Sequence, residues 1–412
     1  MEAIYRHCAG LDVHKNSVMA NARQIDEHGK LCMETRKFGT MTRDLLALSD
    51  WLASQGVTHV AMESTGVFWK PVFNILEGRF EVLLVNPQHI KQVPGRKTDV
   101  KDCEWIGQLL QHGLLRGSFV PPRTQRDLRD LTRHRAQLVA EQTRVANRIH
   151  KTLEDANLKL GSVAADILGK SGRDMIRAIT EGEHDPRKTA ELARARMRAK
   201  IPQLQVALEG HVTEHHRFML KMLMEHLHML EKLVEELNQR IEENTLPFAK
   251  TIQRICTIPG VDRLTAENVL AEVGTDMKPF PSDAHLASWS GICPGNNESA
   301  GKRRRGKTTQ GNRWLRRALS QAAWAASRTK KTYFSSQYRR LAGRRGKKRA
   351  VIAVAHTLLT VIYHLLKHGT TYAELGADYF DRIDPDRLTR YLVKRLEALG
   401  HRVNLDPPAD AA

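Results

Sequence analysis

From Cys8 to about Val120 the apolar positions switch between two periods: short runs of near alternation, and stretches in which they return every three or four residues. These are the marks of strands and helices in turn. The runs are AGLDV, SVMANARQI and KLCMETRKF, the last two parted by a turn-like DEHG. A helical TRDLLALSDWLASQG follows, then the strand VTHVAME, the helix VFWKPVFNILEG and the strand FEVLLV. Two hairpin-linked strands leading into strand–helix repeats predict a mixed sheet with its antiparallel members at one side.

Pro121 and Pro122 end this pattern, and an Arg-rich polar helix is expected from Gln125 to about Leu160. A second long helix carries Leu220, Leu223, Leu227, Leu230, Val234, Leu237 and Ile241 at alternating spacings of three and four. That is the a/d seam of a coiled coil, so a partner helix is expected in the same chain or in another copy. Residues 161 to 201 are charged and weakly periodic, a linker or small helical insert. From about Phe248 the chain becomes compact and rich in Pro, Gly and Trp. The expected layout is a catalytic α/β domain over 1–122, a helical coiled-coil region over 123–245, a mainly α domain over 246–345 and a helical tail over 346–412.

Charge narrows the class of partner. The 412 residues hold 65 Lys and Arg against 46 Asp and Glu, a net +19. Residues 301 to 350 contain eighteen of those cations and no acid, so the excess is local, which suits a polyanion such as nucleic acid. No apolar run reaches the roughly 20 residues needed to cross a bilayer, and MEAIYRHCAG lacks a signal-peptide core. A cytoplasmic protein without membrane contact is expected. Five scattered cysteines, with no Cys-x-x-Cys pair, read as reduced thiols without chemistry.

Four acids stand where metal chemistry would use them. Asp12 lies inside AGLDV, opposite in face to Leu11 and Val13, and Glu63 ends VTHVAME at a strand C-terminus, where ligand sites of α/β sheets gather. Asp99 and Asp102 are spaced i, i+3 in a helix that Thr98 could cap. Each also has a plain reading: a strand-end Asp satisfied by backbone donors, or first-turn acids that complement the helix dipole. Together they match what a magnesium phosphoryl-transfer site requires, since two Mg²⁺ about 4 Å apart share carboxylates.

The segment SWSGICPGNNESAGKRRRGKTTQGNRWLRRAL supplies a candidate nucleophile, Ser299, in a turn-rich stretch followed by cations. Arg303, Arg304, Arg305, Lys307, Arg313, Arg316 and Arg317 are the candidate nucleic-acid contacts, and Gly311 and Asn312 open a helix whose N-terminus suits a phosphodiester. A loop serine is more often only a polar turn residue. Just upstream, ICTIPGVDRLTAENVLAEVG reads as a helix-hairpin-helix or as a packing hairpin, with Asp262 where a second glycine is usual. His211, His215 and His216 read as a solvated helix face, and Trp289, Trp314 and Trp324 as core aromatics or as stacking platforms.

Through GLDVHK, AMESTG and the DxxD of KTDVKDCEWIGQLL, the first part of the chain resembles the DEDD transposases of bacterial insertion sequences, the insertion sequence 110 family. Their N-terminal domain is RNase H-like and resembles the junction resolvase RuvC. The serine segment resembles the same family's C-terminal domain, although Ala300 stands where Gly often follows the serine. The resemblance implies Mg²⁺ on Asp12, Glu63, Asp99 and Asp102, with Ser299 covalently joined to cleaved DNA. It further implies a guide RNA pairing with donor and target DNA, and dimers or tetramers assembled through the coiled coil. With about 200 residues between acids and serine, a composite active site is expected. Rival readings are a junction-resolving nuclease that activates water, and a nucleic-acid scaffold with a vestigial site.

Overall fold

The computed structural model describes residues 3–64, 66–87, 102–293, 298–299, 302–303, 308 and 310–405, and they fall into two compact units that divide between Pro121 and Pro122. The N-terminal unit is built on a five-stranded sheet of β1 (His7–Val13), β2 (Ser17–Ile25), β3 (Leu31–Gly39), β4 (His59–Glu63) and β5 (Glu81–Val85). Its strand order is β3-β2-β1-β4-β5. β2 pairs antiparallel with β1 and β3, while β4 runs parallel to β1 and to β5, so the antiparallel members do lie at one side.

Side-chain parity sorts the sheet into two faces. Ala9, Leu11 and Val13 join Val18, Ala20, Val60 and Met62 under helices α1 (Thr42–Ser54) and α2 (Trp69–Leu76), which contribute Leu45, Leu48, Val72 and Leu76. Cys8 and Ala61 face the other way, onto Ile106, Leu109 and Leu110 of α3 (Asp102–Gln111). Gly10 makes that second contact possible: a Cβ there would lie 2.2 Å from the Cys103 carbonyl oxygen and from the Gly107 nitrogen. At the far end of α3, Gln111 accepts the backbone N–H groups of Ile4 and Tyr5, and the buried Arg23 donates to its side chain (2.9 Å). Helix α3 therefore runs antiparallel to β1, with its N-terminus at the strand's C-terminal end.

The second unit is mostly helical. Helices α4 (Arg123–Asp155) and α5 (Glu214–Thr245) lie antiparallel, Leu128 meeting Ile241 at one end and Asp155 meeting His216 (3.0 Å) at the other. Leu220, Leu223, Leu227 and Leu230 are buried with Leu138, Val145, Ile149 and Leu153, so the leucine seam finds its partner within the chain. Residues 161 to 201 form short helices whose Met175, Ile176 and Ile179 enter the same core. His216 is not solvated as expected. It is buried in a capping box, with Nδ1 accepting from the Thr213 N–H (3.1 Å) and Nε2 donating to Asp155.

After these come α6 (Ala249–Cys256), α7 (Arg263–Val273), α8 (Asp283–Ser290), α9 (Arg313–Arg328), α10 (Tyr333–Arg345) and α11 (Lys347–His368). Helix α11 corrects one expectation. At 22 residues it is long and apolar enough to cross a bilayer, which an uninterrupted-run criterion missed because Thr357, Thr360 and His364 break the run without removing its average hydropathy. Its Val351, Val354, Ala355, Leu358, Leu359 and Ile362 are buried, and it packs against α8, α9 and α10 as the central helix of this domain.

Candidate active site

The acids of the N-terminal unit are positioned by register. Parallel pairing sets Gly10 beside Ala61 and Leu11 beside Met62, so the next step brings Asp12 level with Glu63. Neighbouring strands are about 4.8 Å apart, and parity turns both side chains to the face covered by α3. Asp102 is the first residue of α3 and stands exposed at the same end. Burial pushes the Cys103 thiol up to about 11, and the carboxylates of Glu104 and Asp12 push in the same direction, consistent with Asp12 lying close to the first turn of α3. The fourth expected acid, Asp99, lies outside the described residues. Among the described residues no three His, Cys, Asp or Glu side chains converge as a metal site.

One neighbour was overlooked in the sequence. His14 Nε2 stands 3.0 Å from Asp12 Oδ2, with the carboxylate 22% exposed and the imidazole 64% exposed. His14 follows the end of β1 two residues after Asp12, so extending the strand's alternation by one residue could have flagged the contact.

In the C-terminal unit Ser299 belongs to a short hairpin. Strand β6 (Glu298–Ser299) pairs antiparallel with β7 (Lys302–Arg303), Ser299 opposite Lys302, with Ala300 and Gly301 between them in sequence. Arg304, Arg305 and Lys307 lie outside the described residues, and Arg303 is described by its backbone alone. Arg313, Arg316 and Arg317 lie in the first two turns of α9; Arg313 stacks 4.8 Å from the Trp314 ring centroid.

The segment that carries the serine is clasped at its base. A Cβ on Gly311 would lie 2.3 Å from the Gly291 nitrogen, and the Asn312 N–H donates to the Trp289 carbonyl (3.1 Å). The Asn312 side-chain oxygen caps α9 by accepting from Trp314 N (3.0 Å) and Leu315 N (3.1 Å), while its Nδ2 donates to Glu272 Oε2 (2.6 Å). Glu272 is 1% exposed and is held by Arg133 through two bonds (2.7 and 2.8 Å) and by Arg129 Nε at 3.4 Å. Burial pushes the Arg129 guanidinium down, against the pull of Glu272. Beside this clasp Arg135 pairs with Glu267 (2.7 Å), both side chains almost fully buried. Gly311, Asn312 and Trp289 were singled out in the sequence, but Glu272, Glu267, Arg129, Arg133 and Arg135 were not. The available signal was a lone acid inside the apolar VLAEVG, together with Arg129 and Arg133 at i, i+4 of one helix.

The hairpin between α6 and α7 is also built for packing. Asp262 caps α7 by accepting from Thr265 N (2.8 Å), which accounts for an acid where a glycine was expected. Gly260 takes φ +84°, and a Cβ there would sit 2.3 Å from the Ala326 nitrogen of α9. Its backbone is committed to that helix.

Comparison with known proteins covers both site-bearing segments. A transposase family model matches residues 9–157, and the model of the IS116/IS110/IS902 family of transposases matches residues 252–339. The chain is 26% identical over 318 residues to the transposase for insertion sequence element IS1328 of Yersinia enterocolitica, covering 76% of this chain and 82% of that one. It is 26% identical over 299 residues to the transposase for IS1111A of Coxiella burnetii, covering 70% and 72%. A pilin gene-inverting protein of Moraxella bovis is 28% identical over 121 residues, 29% of this chain and 37% of that protein.

Proposed function

We propose, from the premise that this chain belongs to the IS110 family of insertion-sequence transposases, that it recombines DNA with Mg²⁺ held by Asp12, Glu63, Asp99 and Asp102 and with Ser299 as nucleophile. The observation that supports the reading is strand register, which sets Asp12 level with Glu63 at the C-terminal end of β1 and β4, the end from which α3 starts with Asp102. The order β3-β2-β1-β4-β5 supports taking that unit as RNase H-like, in the manner of RuvC.

The donor set fits the ion, because hard divalent cations take carboxylate oxygens and Asp12, Glu63 and Asp102 bring only these. When bound, the metal supplies Lewis-acid polarisation of the scissile phosphate. The chain's own residues do the rest. Ser299 Oγ gives up its proton to a base as it bonds to phosphorus, and the deoxyribose oxygen departs, leaving a phosphoserine that a second strand can attack. Arg303, Arg304, Arg305, Lys307, Arg313, Arg316 and Arg317 neutralise phosphates around it.

The partners belong to the same reading. The concentrated cations of residues 301 to 350 suit a guide RNA as well as DNA. A second copy, as a coiled-coil dimer or tetramer, would engage the outer face of α5, where Phe218, Met222, Met229 and Leu233 are exposed. The enzyme would act on chromosomal DNA in the cytoplasm.

On a supercoiled plasmid bearing the element's ends, Ser299→Ala is expected to abolish strand exchange and the covalent protein–DNA adduct trapped on a suicide substrate. Adducts formed in unchanged yield would remove the serine from the mechanism. Cleavage that persists without adducts would make the acids a water-directing nuclease site.

A further inference from the structure

A cleft of about 120 Å³ opens between α4, α7 and α9 of the C-terminal unit. Its walls are unusual for a helical junction. Val139 and Leu264 remain 37% and 44% exposed, and Trp314, whose ring also carries the Arg313 guanidinium at 4.8 Å and that of Arg133 at 6.0 Å, forms a third side. Polar groups ring this apolar floor. Asn268 lines the cleft, its Oδ1 accepting from Arg135 (3.3 Å), so its amide nitrogen is the donor it could offer a ligand. Gln321 is exposed, and Arg317 makes a long hydrogen bond, 3.4 Å, to the Ala136 carbonyl. The acid among the lining residues, Glu272, is already neutralised by Arg133 and Arg129, so the cleft does not repel anions.

Flat apolar walls, two carboxamides able to donate and accept, and a guanidinium at the rim are together the chemistry that recognises a nucleotide. Bases stack on aromatic and apolar side chains, amides read their hydrogen-bonding edges, and arginine holds the phosphate. At about 120 Å³ the cleft is smaller than the cavity of roughly 150 Å³ that lodges a benzene ring, so a base would enter it by one edge and rest the remainder against its open side. We propose that the cleft captures one unstacked base of a nucleic-acid strand, with Arg317 on the adjoining phosphate. The proposal goes beyond the serine chemistry and shares with that reading only Arg317, so abasic sensitivity tests it separately from adduct formation.

The test compares binding of a homothymidine oligonucleotide with that of the same strand carrying one abasic site, scanned along its length. At one position the abasic strand should bind the unaltered protein about tenfold more weakly, in line with the ~1–3 kcal/mol that a stacked base contributes. Leu264→Trp, which fills the cleft from an exposed position, should bind the intact strand about tenfold more weakly and lose the sensitivity to the abasic site. Arg317→Gln should weaken both strands equally. An oligouridine arm distinguishes an RNA base from a DNA base as the occupant. If no abasic position matters, or if Leu264→Trp with an unchanged melting temperature retains the full abasic penalty, the proposal fails.

Discussion

Each of the two units holds its own group of carboxylates, and the protein treats the two groups in opposite ways. At the sheet edge Asp12 keeps about a fifth of its side chain in water, with His14 as its hydrogen-bonding neighbour, and backbone register positions it against Glu63. Under the serine segment Glu272 is sealed from water and bonded to Arg133, Arg129 and Asn312. A buried charge is tolerated only when compensated, so Glu272 is already spent on its own fold, whereas Asp12 retains accessible oxygen for a ligand.

The sharpest test of this contrast substitutes one acid from each group. Asp12→Asn is expected to lower DNA strand cleavage by about 10³-fold, the effect of losing several kcal/mol of metal-dependent stabilisation, while the thermal midpoint stays within about 1 °C. Glu272→Gln should do the reverse in kind. It leaves the buried Arg129 and the part-buried Arg133 without their carboxylate and should destabilise the C-terminal unit by about 3 kcal/mol in chemical denaturation, with activity falling only as the folded fraction falls. Equal unfolding midpoints for the two variants would erase the distinction.

What could be read from the sequence divides along the same line. Strand alternation made β1 and β4 visible and set Asp12 and Glu63 on the face opposite Leu11 and Met62, because parity is a local property. The spacing of Leu220 to Ile241 announced a buried stripe, but a stripe does not name its partner, and only the fold shows that Leu138 to Leu153 cover it. Glu272 was invisible for a related reason. Its meaning comes from Arg129 and Arg133, about 140 residues away, and from Asn312, 40 residues away. Asp102 is an intermediate case: its helix was legible, but its arrival at the carboxylate edge depends on α3 lying flat against Gly10.

That dependence gives a smaller but more discriminating test, because Gly10 joins fold and site. Gly10→Ala would drive a methyl group into the Cys103 carbonyl and the Gly107 nitrogen, both backbone atoms that cannot rotate away. Overpacking of this kind costs about 1–3 kcal/mol and must lift α3, carrying Asp102 with it. The expected result is a modest fall in stability with a disproportionate loss of cleavage, partly restored by raising the Mg²⁺ concentration. A loss of cleavage no larger than the loss of folded protein would mean that the seating of α3 does not set the site.

The last contrast concerns pH. Beneath α3 lie two buried thiols: Cys8, which donates to the Gly107 carbonyl (3.8 Å), and Cys103. Burial pushes each up to about 11 from an ordinary value of 9.0. A folded state that holds protons more tightly than the unfolded chain is fully stabilised below pH 9 and loses that contribution as pH rises through 11. At about 1.4 kcal/mol per pKa unit, each thiol is worth a few kcal/mol across that window. Chemical denaturation of the full chain should therefore show the N-terminal unit weakening between pH 9 and 11, and Cys8→Ala, compared with its own value at pH 8, should weaken less over the same range. Iodoacetamide at pH 8.5 should label the exposed Cys32 and spare Cys8 and Cys103 until the sheet opens. Rapid labelling of Cys103 in folded protein would show instead that α3 leaves the sheet readily, and that the carboxylate edge is assembled only when DNA and metal bind.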